Sequence, residues 1–276
     1  MAHSAMHVWT GKSKGDPGSC TMGHDGGEKC SNDMGFLGSA GRDPVFYSHH
    51  SNVDRMWHLW STKLGGKGFD DAEWLDTSFV FYDNPADPRL VRIRIRDVLD
   101  TRNLGYTYDA ESEAALPWIN SKPTQLAPRG GGASPAAPRA ASLVFPLALT
   151  PDQAVVVPAV PRPAKEGNKL QVLVIEGIEF NPSTSTKLDV AINLPKELAP
   201  KVGPQHSEYA GSFVSVASSK EKGAGTGTLE GKITLVIDDV LADIGASGET
   251  VDVVIVPRTG DIKINLPLRI QNEDFC

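Results

Sequence analysis

One stretch of the chain repeats apolar residues at helical spacing. Intervals of three and four residues, typical of the buried face of a helix, separate Val53, Met56, Trp57 and Trp60. Asp43 can cap the first turn, and Pro44 suits the first helical position because it has no N–H group to satisfy. The pattern therefore predicts a helix over residues 44–64, which ends at Gly65-Gly66.

A period of two replaces the helical period later in the chain. Residues 90–98 alternate apolar and arginine side chains, which predicts one strand. From residue 143 onward, about seven short apolar or alternating runs are separated by turn residues, which predicts an antiparallel β-sandwich. The runs are Leu143–Leu149, Ala154–Val160, Leu170–Ile178, Lys187–Leu194, Gly211–Val216, Ile233–Val240 and Val251–Val256.

The composition changes abruptly between these two parts. Residues 119–142 are rich in proline, glycine and alanine, and such a segment cannot bury enough apolar area to offset its ordering entropy. We expect an exposed linker there. The predicted organisation is therefore a helical domain over residues 1–118, a linker over 119–142 and a sandwich over 143–276.

Charge and cysteine content narrow the classes of function. The net charge of −7 argues against binding to a nucleic-acid backbone or an anionic membrane surface. No run of 18 apolar residues is present, and the N-terminus shows neither a signal peptide nor a transit peptide. Cys20, Cys30 and Cys276 have no metal-binding spacing. Cys20 and Cys30 are close enough to pair, although free thiols are equally compatible, so the compartment stays open.

Histidines supply the candidate chemistry. His3 and His7 are four residues apart and would share one helical face, although a chain with 7 histidines contains about 0.2 such pairs by chance. His49-His50 lies one turn before the apolar stripe, and the spacing does not distinguish the two rings. A buried, hydrogen-bonded histidine pair is the alternative. Three neutral imidazoles from two helices suit copper, zinc, iron or nickel.

A long motif resembles a known metal site. Residues 3–11 (HSAMHVWTG) and 34–57 (MGFLGSAGRDPVFYSHHSNVDRMW) resemble the copper B site of plant polyphenol oxidases, which are catechol oxidases and tyrosinases with a type-3 dicopper centre. The resemblance implies that His3, His7 and His50, the second histidine of the pair, bind copper. It also implies that Phe36 gates the copper and that Ser4 handles the phenol proton.

An acidic residue lies near the expected third ligand. Asp54 follows His50 by four residues and would share its helical face. Its carboxylate is a candidate acceptor that orients a ligand imidazole. A salt bridge with Arg42 or Arg55 is the alternative.

The resemblance extends along the rest of the chain. Glu73-Trp74-Leu75, within about 69–118, resembles the family segment named for Asp-Trp-Leu, and Tyr106-Thr-Tyr108 is similar to its tyrosine motif. Lys187–Asn193 resembles the C-terminal domain named for Lys-Phe-Asp-Val. In the family, that domain shields the copper site of the latent enzyme.

One family feature is missing from this sequence. The copper A site needs three further histidines, and those that remain lack the required spacing; they are His24, His49, His58 and His206. The expected fold is therefore multi-domain α plus β, with half of a copper-binding helix bundle followed by an antiparallel β-sandwich. A separate N-terminal half carrying copper A is the expected partner.

The resemblance implies oxidation of o-diphenols to o-quinones with dioxygen and location in the plastid, in the thylakoid lumen. We expect this chain alone to bind at most one copper, at the copper B site, and to have little catechol oxidase activity. A non-catalytic copper-binding remnant or a regulatory, shielding module is the alternative. An oxygen carrier with related copper sites is disfavoured because the plant-type C-terminal domains are present. The choice between monophenols and o-diphenols stays open.

Overall fold

The computed structural model describes most of the chain. It covers residues 2–11, 33–110, 143–217 and 227–274, with the short pieces 21–22, 28–29, 114, 116 and 118. The predicted linker over 119–142, the three cysteines and His24 lie outside the described residues. The linker and its domain boundaries remain predictions.

Contacts between residues divide the chain into two compact units. The first unit combines Met1–His49 with Pro123–Phe275, and the second comprises His50–Lys122. The N-terminal histidine motif thus belongs to the same unit as the C-terminal strands.

Two helices carry the histidine motifs. Helix α1 spans Ala2–Gly11, and helix α2 spans Pro44–Thr62, close to the predicted range of 44–64. Asp43 caps α2 as expected, because its Oδ1 accepts a hydrogen bond of 2.9 Å from the Val45 amide. Between them lie two 3-10 turns, Asp33–Gly35 and Ala40–Arg42, and the antiparallel pair β1 (Thr21–Met22) and β2 (Glu28–Lys29).

The apolar stripe of α2 is more exposed than its spacing predicts. The exposed fractions are 36% for Val53, 40% for Met56, 46% for Trp57 and 39% for Trp60. The spacing identifies the apolar face of the helix correctly, and in the described residues that face stays partly exposed. Periodicity shows that a helix is amphipathic, but burial also needs a facing element.

The second unit consists of short elements. It contains helix α3 (Ala72–Asp76), a hairpin of β3 (Ser78–Tyr82) and β4 (Leu90–Arg94), and a 3-10 turn at Thr101–Leu104. The predicted strand over 90–98 ends early, because Ile95–Val98 forms a 3-10 turn. Asp97 stabilises that turn by accepting a hydrogen bond from the Arg94 amide at 3.0 Å.

Two antiparallel sheets form the C-terminal part. Their strands are β5 (Leu147–Leu149), β6 (Val155–Pro161), β7 (Leu170–Phe180), β8 (Thr186–Ile192), β9 (Tyr209–Ser215), β10 (Leu229–Val236), β11 (Thr250–Thr259), β12 (Ile262–Ile264) and β13 (Arg269–Glu273). One sheet has the order β10-β7-β12-β5, with β13 also paired to β7, and the other has the order β6-β11-β8-β9.

Both sheets contribute to one hydrophobic core. Leu173 and Ile175 of β7 and Val253 and Ile255 of β11 are fully buried in it. The structure confirms a mixture of helices with mostly antiparallel sheets. The finer description as half of a copper bundle followed by a sandwich remains a prediction.

Two details of the C-terminal part differ from the sequence prediction. The predicted strand Ile233–Val240 ends at Val236, and Asp238–Asp243 forms helix α4. Strands β12 and β13 had no counterpart in the prediction. No described helix has the length and apolar character needed to cross a membrane.

Candidate metal centre

Three histidines from α1 and α2 come together in the first unit. Each of His3, His7 and His49 offers a ring nitrogen, and these three atoms all lie within 4.8 Å of one another. The ring centroids are 4.9 Å apart for His3 and His7, 5.1 Å for His3 and His49, and 5.3 Å for His7 and His49. This geometry makes the cluster a candidate metal centre.

Helix α1 is held in place by packing along its length. Val8 is buried against Val214 and Val216, which lie at the end of β9 and just after it. At the last residue of α1, a Cβ built on Gly11 would lie only 1.8 Å from the Gly35 nitrogen. The helix can therefore approach the Asp33–Gly35 turn this closely only because Gly11 has no side chain.

This close approach places the His7 ring beside a backbone carbonyl. The ring is 1% exposed, and its Nδ1 donates a hydrogen bond of 2.8 Å to the Met34 carbonyl. A proton on Nδ1 places the ring's lone pair on Nε2, which is then the nitrogen able to bind a metal. The Phe46 ring packs edge-on against His7 at 5.9 Å.

His49 has the opposite arrangement. Its Nε2 donates a hydrogen bond of 3.1 Å to the His3 carbonyl, and its ring stacks on the His3 ring with an interplanar angle of 17°. In this arrangement the lone pair of His49 lies on Nδ1. A metal bound at His49 Nε2 would replace the hydrogen bond from that nitrogen to the His3 carbonyl.

The third histidine of the cluster is His49, whereas the family resemblance implies His50, and the role of His50 stays a prediction. Among the described residues, the group that could hold a metal contains His49 and not His50. His49 belongs to the cluster because its ring contacts those of both His3 and His7. The offset from Phe46 does not separate the two histidines, because His49 at i+3 and His50 at i+4 are both its neighbours on the helix. Sequence spacing therefore leaves the pair open, and only the contacts of the folded chain distinguish them.

Asp54 contacts the tyrosine motif. Its Oδ2 accepts hydrogen bonds from the hydroxyl of Tyr106 at 2.8 Å and from that of Tyr108. Burial raises the pKa of both tyrosines, and the hydrogen bond and negative charge of Asp54 raise each pKa further. No spacing in the sequence predicted this contact, and the role of Asp54 in orienting an imidazole remains a prediction.

Ser4 directly follows one histidine of the cluster, and Phe36 follows the residue whose carbonyl contacts another. Ser4 Oγ is 3.5 Å from His3 Nδ1. Phe36 is half-buried and comes two residues after the carbonyl that binds His7, and its backbone pairs with Ala217. Their roles in proton handling and gating remain predictions.

A separate cavity lies within the second unit. Its volume is about 420 Å³, and its walls include Trp57, His58, Trp74 and Asp100. None of the three clustered histidines lines it, so it is distinct from the candidate metal centre.

Family models match three consecutive parts of the chain. Residues 1–63 match the common central domain of tyrosinase, and residues 68–124 match the polyphenol oxidase middle domain. Residues 145–268 match the chloroplastic polyphenol oxidase C-terminal domain. The candidate metal centre falls entirely within the first match.

Individual relatives agree with these models. The chain is 38% identical to the chloroplastic polyphenol oxidase of Malus domestica, over 95% of this chain and 44% of that protein. It is 39% identical to the aureusidin synthase of Antirrhinum majus, over 96% of this chain and 46% of that protein. The chain thus spans less than half the length of these relatives.

A solved structure has the same fold. Latent apple tyrosinase superposes with a TM-score of 0.70 at 34% sequence identity, over 99% of this chain and 55% of that one. The order of the three matched domains, the relatives and this superposition agree with one another, and the chain belongs to the plant polyphenol oxidase family of copper oxidoreductases.

Proposed function

We propose that this chain provides the copper B half of a dicopper polyphenol oxidase that oxidises o-diphenols to o-quinones with dioxygen. The observation that carries the proposal is the cluster of His3, His7 and His49 within the part that matches the tyrosinase central domain. We assign the third ligand to His49 in place of His50, because only His49 belongs to the cluster.

The donor set of the cluster fits copper. Three imidazoles are ligands that copper favours, and the Met34 carbonyl already fixes the tautomer of His7 in the form that leaves Nε2 for a metal. When bound, copper supplies the redox chemistry of the reaction, while the protein fixes orientation and access.

The residues around the cluster have separate tasks in this proposal. The buried ring of His7 gives the metal a dry, rigid ligand. Ser4, whose hydroxyl lies next to the His3 ring, receives the phenol proton, and Phe36 stacks on the phenol ring and limits its access.

A complete dicopper centre needs a second set of histidines. We propose that an N-terminal half supplies it, consistent with the chain spanning 44% of its Malus domestica relative. The C-terminal β domain shields the site, and the protein works in the plastid, as the chloroplastic names of the relatives suggest. Within the plastid we propose the thylakoid lumen.

Oxygen uptake with catechol tests this function. We expect the copper-loaded chain alone to show no turnover, because one half of the centre cannot hold both metals. Joined to the N-terminal half of the apple relative, the chain should consume oxygen, and the His7→Ala variant of that fusion should lose at least about 100-fold in rate. Turnover of about 1–1000 per second by the chain alone would contradict the proposal that it holds only half of the dicopper centre. Copper binding by a fusion that never turns over would favour the non-catalytic alternative.

A further inference from the structure

The last residue of α1 lies against the same peptide group that orients His7. Gly11 follows His7 by four residues, so the two share one face of the helix. His7 Nδ1 donates its hydrogen bond to the Met34 carbonyl at 2.8 Å, and a Cβ built on Gly11 would lie 1.8 Å from the Gly35 nitrogen and 2.6 Å from the Met34 carbonyl carbon. The carbonyl of Met34 and the nitrogen of Gly35 belong to one rigid peptide plane. Helix α1 therefore contacts a single peptide group at two points, one helical turn apart.

The turn that carries this peptide is held by its own hydrogen bonds. The Asp33 carbonyl accepts hydrogen bonds from the Phe36 amide at 3.2 Å and from Ser39 Oγ at 3.4 Å. The Phe36 carbonyl accepts another from the Ser39 amide at 3.0 Å. Met34 and Gly35 are both buried. A buried turn with these internal bonds has little freedom to move away from the helix.

Any side chain at position 11 would disturb this contact with its first atom. Real Cβ atoms essentially never come within 3.0 Å of such a neighbour, so the 1.8 Å separation from the Gly35 nitrogen would have to grow by more than about 1 Å. Hydrogen bonds from N–H to oxygen span only about 2.7–3.2 Å. A displacement of that size is larger than the bond from His7 to Met34 can accommodate.

We propose that Gly11 is a positioning residue for the copper ligand His7. Because position 11 has no side chain, α1 packs closely enough on the peptide between Met34 and Gly35 for its carbonyl to hold the His7 ring and leave Nε2 for the metal. All of these residues lie within the part that matches the tyrosinase central domain. This inference rests on the proposed copper-binding function.

Metal affinity of the full chain tests the proposal. Partners that orient a ligand histidine contribute about 10- to 100-fold to metal affinity, so copper should bind Gly11→Ala at least about tenfold more weakly than the wild type. Gly41→Ala is the matched control, because it adds the same methyl group between the two helices, where a Cβ meets only the Tyr47 hydroxyl, at 4.0 Å. We expect this control to leave the affinity within about twofold. Calorimetric titration of copper measures both variants.

A second measurement separates positioning from simple destabilisation. Nitrogen NMR of the metal-free, folded chain should show His7 protonated at Nδ1 in the wild type and in Gly41→Ala, and a mixture of tautomers in Gly11→Ala. A variant that is only less stable would keep the wild-type signal in its folded state. Equal affinities and identical His7 signals for Gly11→Ala and the wild type would overturn the proposal.

The wild type alone also provides a test, which holds even if Gly11→Ala does not fold. A wild-type His7 protonated at Nε2 would overturn the proposal, because the Met34 carbonyl would then not hold the ring. If the wild type binds no copper, the proposed function fails, and the NMR comparison still decides whether Gly11 positions His7.

Discussion

At the scale of single residues, the candidate centre depends on which side of α2 a histidine occupies. The rings of His49 and Phe46 both contact His7 of α1. Adjacent histidines in a sequence look equivalent because residue type carries no angular information. The distinction becomes visible only in the folded chain, where the His49 ring contacts both histidines of α1.

Alanine variants distinguish the two histidines directly. We expect His49→Ala to weaken copper binding by at least about tenfold, because it removes one of three ligands. His50→Ala should change the affinity by less than about threefold. Calorimetric titration of copper into each variant measures both effects. The reverse order would show that His50 is the ligand, as the family resemblance implies.

The tyrosine motif gives a second prediction at this scale. Burial and the bond to Asp54 favour the neutral phenol of Tyr108 and raise its pKa. The stabilisation is therefore complete below the ordinary tyrosine pKa of about 10 and is lost as pH rises through the higher pKa of the folded state.

Tyrosinate absorbance near 295 nm measures this difference. Subtraction of the Tyr108→Phe titration from that of the wild type should give a midpoint above 10, and Asp54→Asn should lower that midpoint. A Tyr108 midpoint at the ordinary value in the wild type would contradict the contact with Asp54.

At the scale of elements, the spacing of hydrophobic residues predicted the helix and strands that carry their own pattern. It missed strands that form only because a neighbouring strand pairs with them. Helix α2 and most long strands, such as β7 and β11, follow from their own patterns. Strand β13 has the sequence RIQNE, in which only Ile270 is buried, so no alternation marks it. It forms because β7 offers it a backbone edge.

A charged clamp on β7 links three strands. Glu176 accepts hydrogen bonds from Arg269 of β13 at 2.6 and 2.9 Å, and Lys232 of β10 lies 2.8 Å from its carboxylate. The hydrogen bonds to Arg269 and then Lys232 lower the pKa of Glu176 to about 2. The stabilisation is therefore present above the ordinary glutamate pKa and is lost as pH falls from about 4.3 towards 2.

Unfolding at different pH values tests this clamp. We expect the midpoint of denaturant unfolding to fall between about pH 4.5 and 2 more steeply in the wild type than in Glu176→Gln. Glu166→Gln is a suitable control, because Glu166 pairs with Lys169, which is only three residues away in the chain. Equal slopes for Glu176→Gln and the wild type would show that the clamp does not couple the strands.

At the scale of the whole molecule, the order of domains could be predicted from the sequence and their grouping could not. The sequence motifs occur along the chain in the same order as the three family matches. The contacts of Val8 and Ser185, however, place the N-terminal histidine motif in one unit with the C-terminal strands. Such contacts join residues far apart in the chain and leave no periodic signal.

Copper content per chain tests the central claim most directly. After loading and dialysis, metal analysis should find close to one copper per wild-type chain, because His3, His7 and His49 form one three-imidazole cluster. His7→Ala should retain almost none, while His206→Ala should match the wild type. A ratio near two, or a ratio near one that survives His7→Ala, would contradict the assignment of this cluster as the copper site.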